Sequence, residues 1–285
     1  NPHAQLNASF AGTVPLPGAI GYFSQSGSLL AALVDMAKAR GVGFSKLISL
    51  GNKADITELD VLRMLAHDEQ TQVIAGYLET IVRGEEFIRE AERISHDKPI
   101  LLMKSGDTGA GSAAASSHTG RLAETQRAYK IVFERAGIIR CESIKSLFDY
   151  ARALAKQPLP KGQRVAVVAN AGGPAIMAAD AVEDRRLTLA SFSDDTKTKL
   201  AATMPAWANV GNPLDVLGDA LAFRYEQALE AVLADPNVDM VLVILSPHAM
   251  TECNETAEAI VKATRDGNDK PIVACFLGAS RVARA

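Results

Sequence analysis

Cysteine is scarce in this sequence: Cys141, Cys253 and Cys275 are the only three, an odd count, widely spaced and without a C-x-x-C pair. That argues against both a disulfide framework and a cysteine zinc site, and makes a cytoplasmic location the expectation. A basic excess is also missing. Lys and Arg number 30 against 33 Asp and Glu, a net charge of −3, so no positive field is available for nucleic acid or an anionic membrane surface, and neither partner is expected. No stretch approaches the run of about 20 apolar residues that a membrane span requires. The opening NPHAQLNASFAGTVPLPG has no initiator Met and lacks the basic and apolar regions of a signal peptide, so the chain is expected to be a piece of something longer. What remains is an ordinary soluble composition: 285 residues, 48% hydrophobic and 22% charged, enough for two domains that each bury a core.

Four segments recur in the same order. GAIGYFSQSGSLLAALVDMA, from Gly18, has a counterpart in QRVAVVANAGGPAIMAADAV, from Gln163. GNKAD (Gly51 to Asp55) returns as GNPLD (Gly211 to Asp215), LAHDEQTQVIAGYLE (Leu65 to Glu79) as LADPNVDMVLVILSP (Leu233 to Pro247), and DKPILLMKSG, from Asp97, as DKPIVACFLG, from Asp269. An internal repeat of this kind decides the fold before any single element does. Ile20 to Phe23 and Val165 to Val168 are short apolar runs of the sort buried in parallel sheets, each followed by a Gly-containing turn and helical spacing. Further strands are predicted at Lys46 to Leu50, Val73 to Tyr77, Ile100 to Met103, Met240 to Leu245 and Ile272 to Phe276. Helical patterns at Glu58 to Ala66, Glu85 to Ile94, Tyr225 to Ala234 and Thr251 to Thr264 fall between them. Alternating strand and helix implies an α/β fold with right-handed crossovers: two doubly wound, flavodoxin-like domains with parallel sheets. Their expected bounds are 1–156 and 162–285, with the Pro-containing 157–161 as linker.

Ligands of open α/β sheets collect at the carboxyl ends of strands. Both copies put a small-residue turn there. Ser26-Gly27-Ser28 in the first and Gly172-Gly173 in the second would offer backbone N–H groups and the positive end of a helix dipole to an anion such as phosphate; each is equally readable as a tight packing turn. SQSGS lacks the first Gly of a hydrolase G-x-S-x-G elbow, and GDTGAGS, Gly106 to Ser112, has no Lys before its Ser, so neither a serine hydrolase nor a P-loop is indicated. Among five histidines, His3, His67, His96 and His248 read as solvated or capping. His118 stands in AAASSHTGRLAETQ (Ala113 to Gln126), a stretch of small and hydroxylated residues after the Ile100 to Met103 strand, and from the residues alone it is either a plain loop histidine or a reactive imidazole.

The motifs SQSGSLLAAL, GFSKLISLGNKADI, YLE and AASSHTG in the first half, with NAGGPAIMAAD and GNPLD in the second, resemble the succinyl-CoA synthetase superfamily. They are most similar to the α subunit of NDP-forming acyl-CoA synthetases (acetate–CoA ligase, ADP-forming). The resemblance covers essentially the whole chain and is limited to the family's two flavodoxin-like domains. It implies that His118 is the residue phosphorylated in turnover and Glu79 the carboxylate that hydrogen-bonds its other ring nitrogen. It also implies that Ser26, Gly27, Ser28, Gly172 and Gly173 bind the phosphate, while Ser116, Ser117, Thr119 and Gly120 support the loop. No metal ligand and no tightly bound cofactor are expected. CoA, phosphate and ATP or ADP with Mg are the implied substrates, reaching the chain through an upstream CoA-binding Rossmann domain and an ATP-grasp subunit or domain. The assembly is expected to be an oligomer. The rival from another class is a synthetase-like regulatory region of a protein acetyltransferase, without ligase activity; a simple flavodoxin-like ligand-binding protein rests on fold analogy alone.

Overall fold

The computed structural model describes residues 1–9, 11–106, 126–265 and 268–285. The chain forms two compact units, Asn1–Lys156 and Gln157–Ala285, each an α/β unit around a parallel sheet.

In the first unit the strands are β1 (Pro17–Ser24), β2 (Phe44–Ser49), β3 (Val73–Leu78), β4 (Ile100–Lys104) and β5 (Ile138–Arg140), in the order β2-β1-β3-β4-β5. The helices are α1 (Gly27–Ala39), α2 (Glu58–His67), α3 (Gly84–Ser95), α4 (Gln126–Arg135) and α5 (Ile144–Lys156). The period of two along a strand splits the core between the faces of the sheet. Ile20, Tyr22, Val73 and Ala75 pack with Leu33, Phe44, Leu147 and Phe148, so α1 and α5 cover one face. Phe23, Ile74, Leu78 and Leu102 pack with Leu62, Phe87 and Phe133, so α2, α3 and α4 cover the other. Phe23 and Gly76 are register partners, and a Cβ on Gly76 would stand 2.6 Å from the Phe23 ring. Only glycine leaves room for that ring inside the sheet. Thr57 opens α2 with a capping box, its N and Oγ1 both donating to Asp60 Oδ2 at 2.9 and 2.7 Å.

The second unit has β6 (Arg164–Ala169), β7 (Thr188–Leu189), β8 (Leu214–Asp215), β9 (Met240–Leu245) and β10 (Ile272–Phe276). Its helices are α6 (Gly172–Asp184), α7 (Asp194–Thr203), α8 (Ala222–Ala234) and α9 (Cys253–Arg265). The order is β10-β9-β6-β7, with β8 also on β6. Arg164 and Val165 pair with β7, whereas Val168 and Ala169 pair with β8. The second strand of this copy is therefore split in two, and α7 lies between the halves in sequence. A side chain fills the gap: Asn212 Oδ1 accepts from Val167 N at 2.9 Å, and its Nδ2 donates to Val165 O at 2.8 Å and Ala190 O at 2.9 Å. An amide side chain thus supplies the ladder bonds that the missing strand residues would have made.

The repeats fall where the sequence puts them. β1 matches β6, β3 matches β9 and β4 matches β10, and G-N-x-x-D follows β2 in one unit and leads into β8 in the other. Even the repeated D-K-P lysine has one task. Lys98 Nζ donates to Leu65 O and Asp68 O at the end of α2, and Lys270 Nζ to Leu233 O and Asp235 O at the end of α8, satisfying carbonyls that a helix terminus leaves over.

Candidate active site

The carboxyl edge of the first sheet is built from the turn after β1. Ser24 is fully buried; its Oγ donates to Ser26 O at 2.7 Å and accepts from Ser26 N at 3.1 Å. This holds Ser26 extended, so that it caps α1 by accepting from Leu29 N at 3.3 Å. The N–H groups of Gly27 and Ser28 have no partner among the described residues and point, with the helix dipole, toward whatever lies beyond the helix start.

Gln25, buried beside them, reaches across to the end of β3. Its Oε1 accepts from Glu79 N at 2.9 Å and Thr80 N at 3.1 Å, and its Nε2 donates to Thr80 Oγ1 at 3.2 Å. Glu79 is half-buried one residue past the strand. The Tyr77 hydroxyl donates to Glu79 Oε1 at a long 3.4 Å and shares a 2.7 Å hydrogen bond with Ser105 Oγ, just past β4. Burial, with the nearby Glu79 charge adding to it, raises the Tyr77 pKa, while the Ser105 bond works the other way; Tyr77 therefore remains a neutral phenol able to donate. Lys104 closes this corner, its Nζ donating to Ser105 O at 2.6 Å and lying 4.6 Å above the Tyr129 ring.

A buried ion pair lies under the same loop. Lys53 Nζ and Glu58 Oε2 are 2.8 Å apart, and neither side chain is accessible to solvent. Lys53 Nζ also donates to Thr80 O, and Glu58 Oε1 accepts from Val82 N. Glu58 is the first residue of α2, so the helix dipole adds to the lysine in offsetting its charge.

In the second unit Asn170 stands where Gln25 stands in the first. It is buried, donates through Nδ2 to Ser246 O at 2.9 Å and accepts through Oδ1 from Ser246 N at 2.7 Å. Gly172 and Gly173 begin α6, exposed, with nothing within 4 Å of where a Cβ would stand. Pro174 follows as the third helical residue, where it withdraws an N–H that the first turn would leave unpaired. Among the described residues no group of three or more His, Cys, Asp or Glu could hold a metal, and no helix is long and apolar enough to cross a membrane.

The structure thus brings Ser26, Gly27, Ser28 and Glu79 to one edge of one sheet, and places Gly172 and Gly173 at the matching edge of the other. Ser116, Ser117, His118, Thr119 and Gly120 lie outside the described residues. Gln25, Lys53, Glu58, Tyr77 and Ser105 are additions that sequence reasoning missed. Gln25 and Lys53 sit inside the motifs SQSGS and GNKAD, and a polar residue repeated at position 170 was the available signal for the first.

Residues 17–154 match the model described as the succinyl-CoA ligase like flavodoxin domain, and residues 165–285 that of the ligase-CoA domain. An ADP-forming acetate–CoA ligase of Archaeoglobus fulgidus is 41% identical over 99% of the chain. Through these two domains the chain belongs to the succinyl-CoA ligase-like family. Another relative, the α subunit of the ADP-forming acetate–CoA ligase II of Pyrococcus furiosus, is 39% identical over 97% of the chain. A solved acetyl-coenzyme A synthetase 1 of Ca. Korarchaeum cryptofilum, in complex with phosphate and ADP, superposes with a TM-score of 0.93 at 35% identity over 99% of the chain. The chain spans 40% of the A. fulgidus relative, 61% of the P. furiosus subunit and 61% of the solved chain.

Proposed function

We propose that this chain is the phosphoryl-carrying core of an ADP-forming acyl-CoA synthetase, which interconverts acyl-CoA, ADP and phosphate with carboxylic acid, ATP and CoA through a phosphohistidine at His118. The observation that carries this reading is Glu79: a half-buried carboxylate whose own N–H is held by Gln25, at the strand-end edge where α1 begins with two N–H groups that have no partner among the described residues. In the forward direction phosphate attacks the thioester carbon of acyl-CoA, the carbon–sulfur bond breaks and CoA leaves. A ring nitrogen of neutral His118 then attacks the phosphorus of the resulting acyl phosphate. A nitrogen–phosphorus bond forms, the bond from phosphorus to the acyl oxygen breaks, and the carboxylate leaves. A terminal oxygen of ADP then takes the phosphoryl group and regenerates the imidazole. Glu79 accepts a hydrogen bond from the other ring nitrogen, fixes the tautomer and offsets the imidazolium charge that develops.

Ser26, Gly27 and Ser28, and in the other unit Gly172 and Gly173, are the proposed phosphate-binding groups, acting through N–H dipoles that need no reorganisation. Ser116, Ser117, Thr119 and Gly120 are proposed to shape the loop around His118. The neighbour solved with phosphate and ADP supports these as substrate classes, with Mg accompanying the nucleotide. The relatives' additional length supports a CoA-binding Rossmann domain and an ATP-grasp domain or subunit as partners in an oligomeric enzyme. The relatives reported are named ligases, which favours this reading over a regulatory region of an acetyltransferase. The test is incubation of the enzyme, with its nucleotide-binding part, with γ-labelled ATP. An acid-labile, base-stable label that disappears in His118→Asn is expected; a label that survives the substitution contradicts the assignment.

A further inference from the structure

The main chain on either side of Glu79 is held at more points than sheet formation requires. Glu79 N and Thr80 N both donate to Gln25 Oε1, Thr80 O accepts from Lys53 Nζ, and Val82 N donates to Glu58 Oε1. Two of these four restraints come from the Lys53–Glu58 ion pair, which is wholly inaccessible to solvent and set at 2.8 Å. A buried ion pair is a weak stabiliser, since an apolar pair of similar volume commonly serves the fold as well or better; its distinctive contribution is directional. The backbone at Lys53 makes the same point. Its φ is 56°, a left-handed conformation that glycine or asparagine adopts with less strain. A lysine there is accounted for by what its side chain reaches.

What it reaches is the carbonyl of Thr80, the residue next to Glu79. A carboxylate that must meet one nitrogen of an imidazole needs its Cα and main chain fixed, because only its own side-chain torsions then remain to be set. We propose that Lys53 and Glu58 are positioning residues for Glu79: the pair clamps Thr80 O and Val82 N, and through them aims the Glu79 carboxylate at the reacting histidine. This inference rests on the functional reading above. It adds that G-N-x-x-D in the first unit serves the chemistry through its third residue, where the second unit has Pro213.

The test is a single-turnover phosphorylation assay on the full enzyme with γ-labelled ATP, comparing wild type with Lys53→Met/Glu58→Met, alone and combined with Glu79→Gln. The apolar pair is expected to leave the fold intact by circular dichroism and the apparent ATP affinity within about twofold, while slowing phosphorylation about 10- to 100-fold. In the Glu79→Gln background the same replacement is expected to cost less than about twofold, because a residue acting through Glu79 has nothing left to position. A wild-type rate in the Met pair, or an undiminished further loss on top of Glu79→Gln, overturns the proposal. If the Met pair does not fold, Lys53→Gln goes through the same cycle; its shorter side chain withdraws the donor from Thr80 O. A loss that vanishes beside Glu79→Gln supports the proposal, and a loss that persists or never occurs overturns it. No label on the wild-type enzyme removes the functional reading and this inference together, whereas a labelled wild type matched by its variants removes this inference alone.

Discussion

The ends of β1 and β6 are closed by the same device. Gln25 joins the first strand to the end of β3, and Asn170 joins its counterpart to the end of β9, each a buried amide bonding the main chain of the residues that follow or end the neighbouring strand. Beyond that clamp the copies part. The first unit continues with Glu79 and Thr80 over a buried Lys53–Glu58 pair, the second with Pro247 and His248. G-N-x-x-D diverges too: Asn212 bridges a split strand through three hydrogen bonds, whereas Asn52 is exposed. What the two copies share is the bonding that holds strand ends and helix ends in place, and what differs is the set of charged groups laid on top. The repeat keeps a platform in both copies, and Glu79 with the buried Lys53–Glu58 pair is found on one of them.

The largest effect should come from the charged group that the second copy lacks. Glu79→Gln keeps the shape and the Gln25 bonds to the main chain, yet is expected to slow phosphorylation by about 10²-fold or more, with a melting temperature close to wild type by calorimetry. A near wild-type rate would erase the main distinction between the units. Next, Asn212→Ala should destabilise the second unit by about 2–4 kcal/mol because it leaves Val167 N and Ala190 O without their Asn212 bonds and Val165 O with only the bond from Ala190 N. Asn52→Ala, the same letter of the same motif, should stay within about 0.5 kcal/mol. Denaturant unfolding read by hydrogen exchange in β1 and β6 separates the two. Gln25→Ala and Asn170→Ala should each cost about 1–3 kcal/mol, alike in stability but unlike in chemistry, with the greater loss of phosphorylation rate in Gln25→Ala. The smallest effect belongs to the shared helix caps. Lys98→Met and Lys270→Met should each cost about 1 kcal/mol, nearly equal in the two units, and a clear inequality in denaturation midpoints would break the symmetry that the repeated D-K-P implies.

Much of this was legible in the residues. The recurrence of four segments predicted two doubly wound parallel sheets, and β9 and β10 span the very residues that their apolar runs marked. Strands of two or three residues, β5, β7 and β8, are too short to show a period, so the split second strand and its α7 insertion left no pattern to read. Glu79 came from the resemblance of YLE, since a single glutamate after a strand carries no signal of its own. Lys53 and Gln25 were hidden for a different reason. Their partners stand 27 residues on for Lys53 and 54 and 55 on for Gln25, and only the fold reveals that both converge on the main chain of Thr80.

The central claim is that one copy of the platform carries the phosphoryl group. Its most direct measurement is mass-spectrometric mapping of the acid-labile phosphate on enzyme incubated with ATP, under conditions that preserve phosphohistidine. The account predicts a single phosphate on the peptide from Ala113 to Gln126, at His118. A phosphate on the second unit, for example at His248 beside the end of β9, or none on either unit, would contradict it.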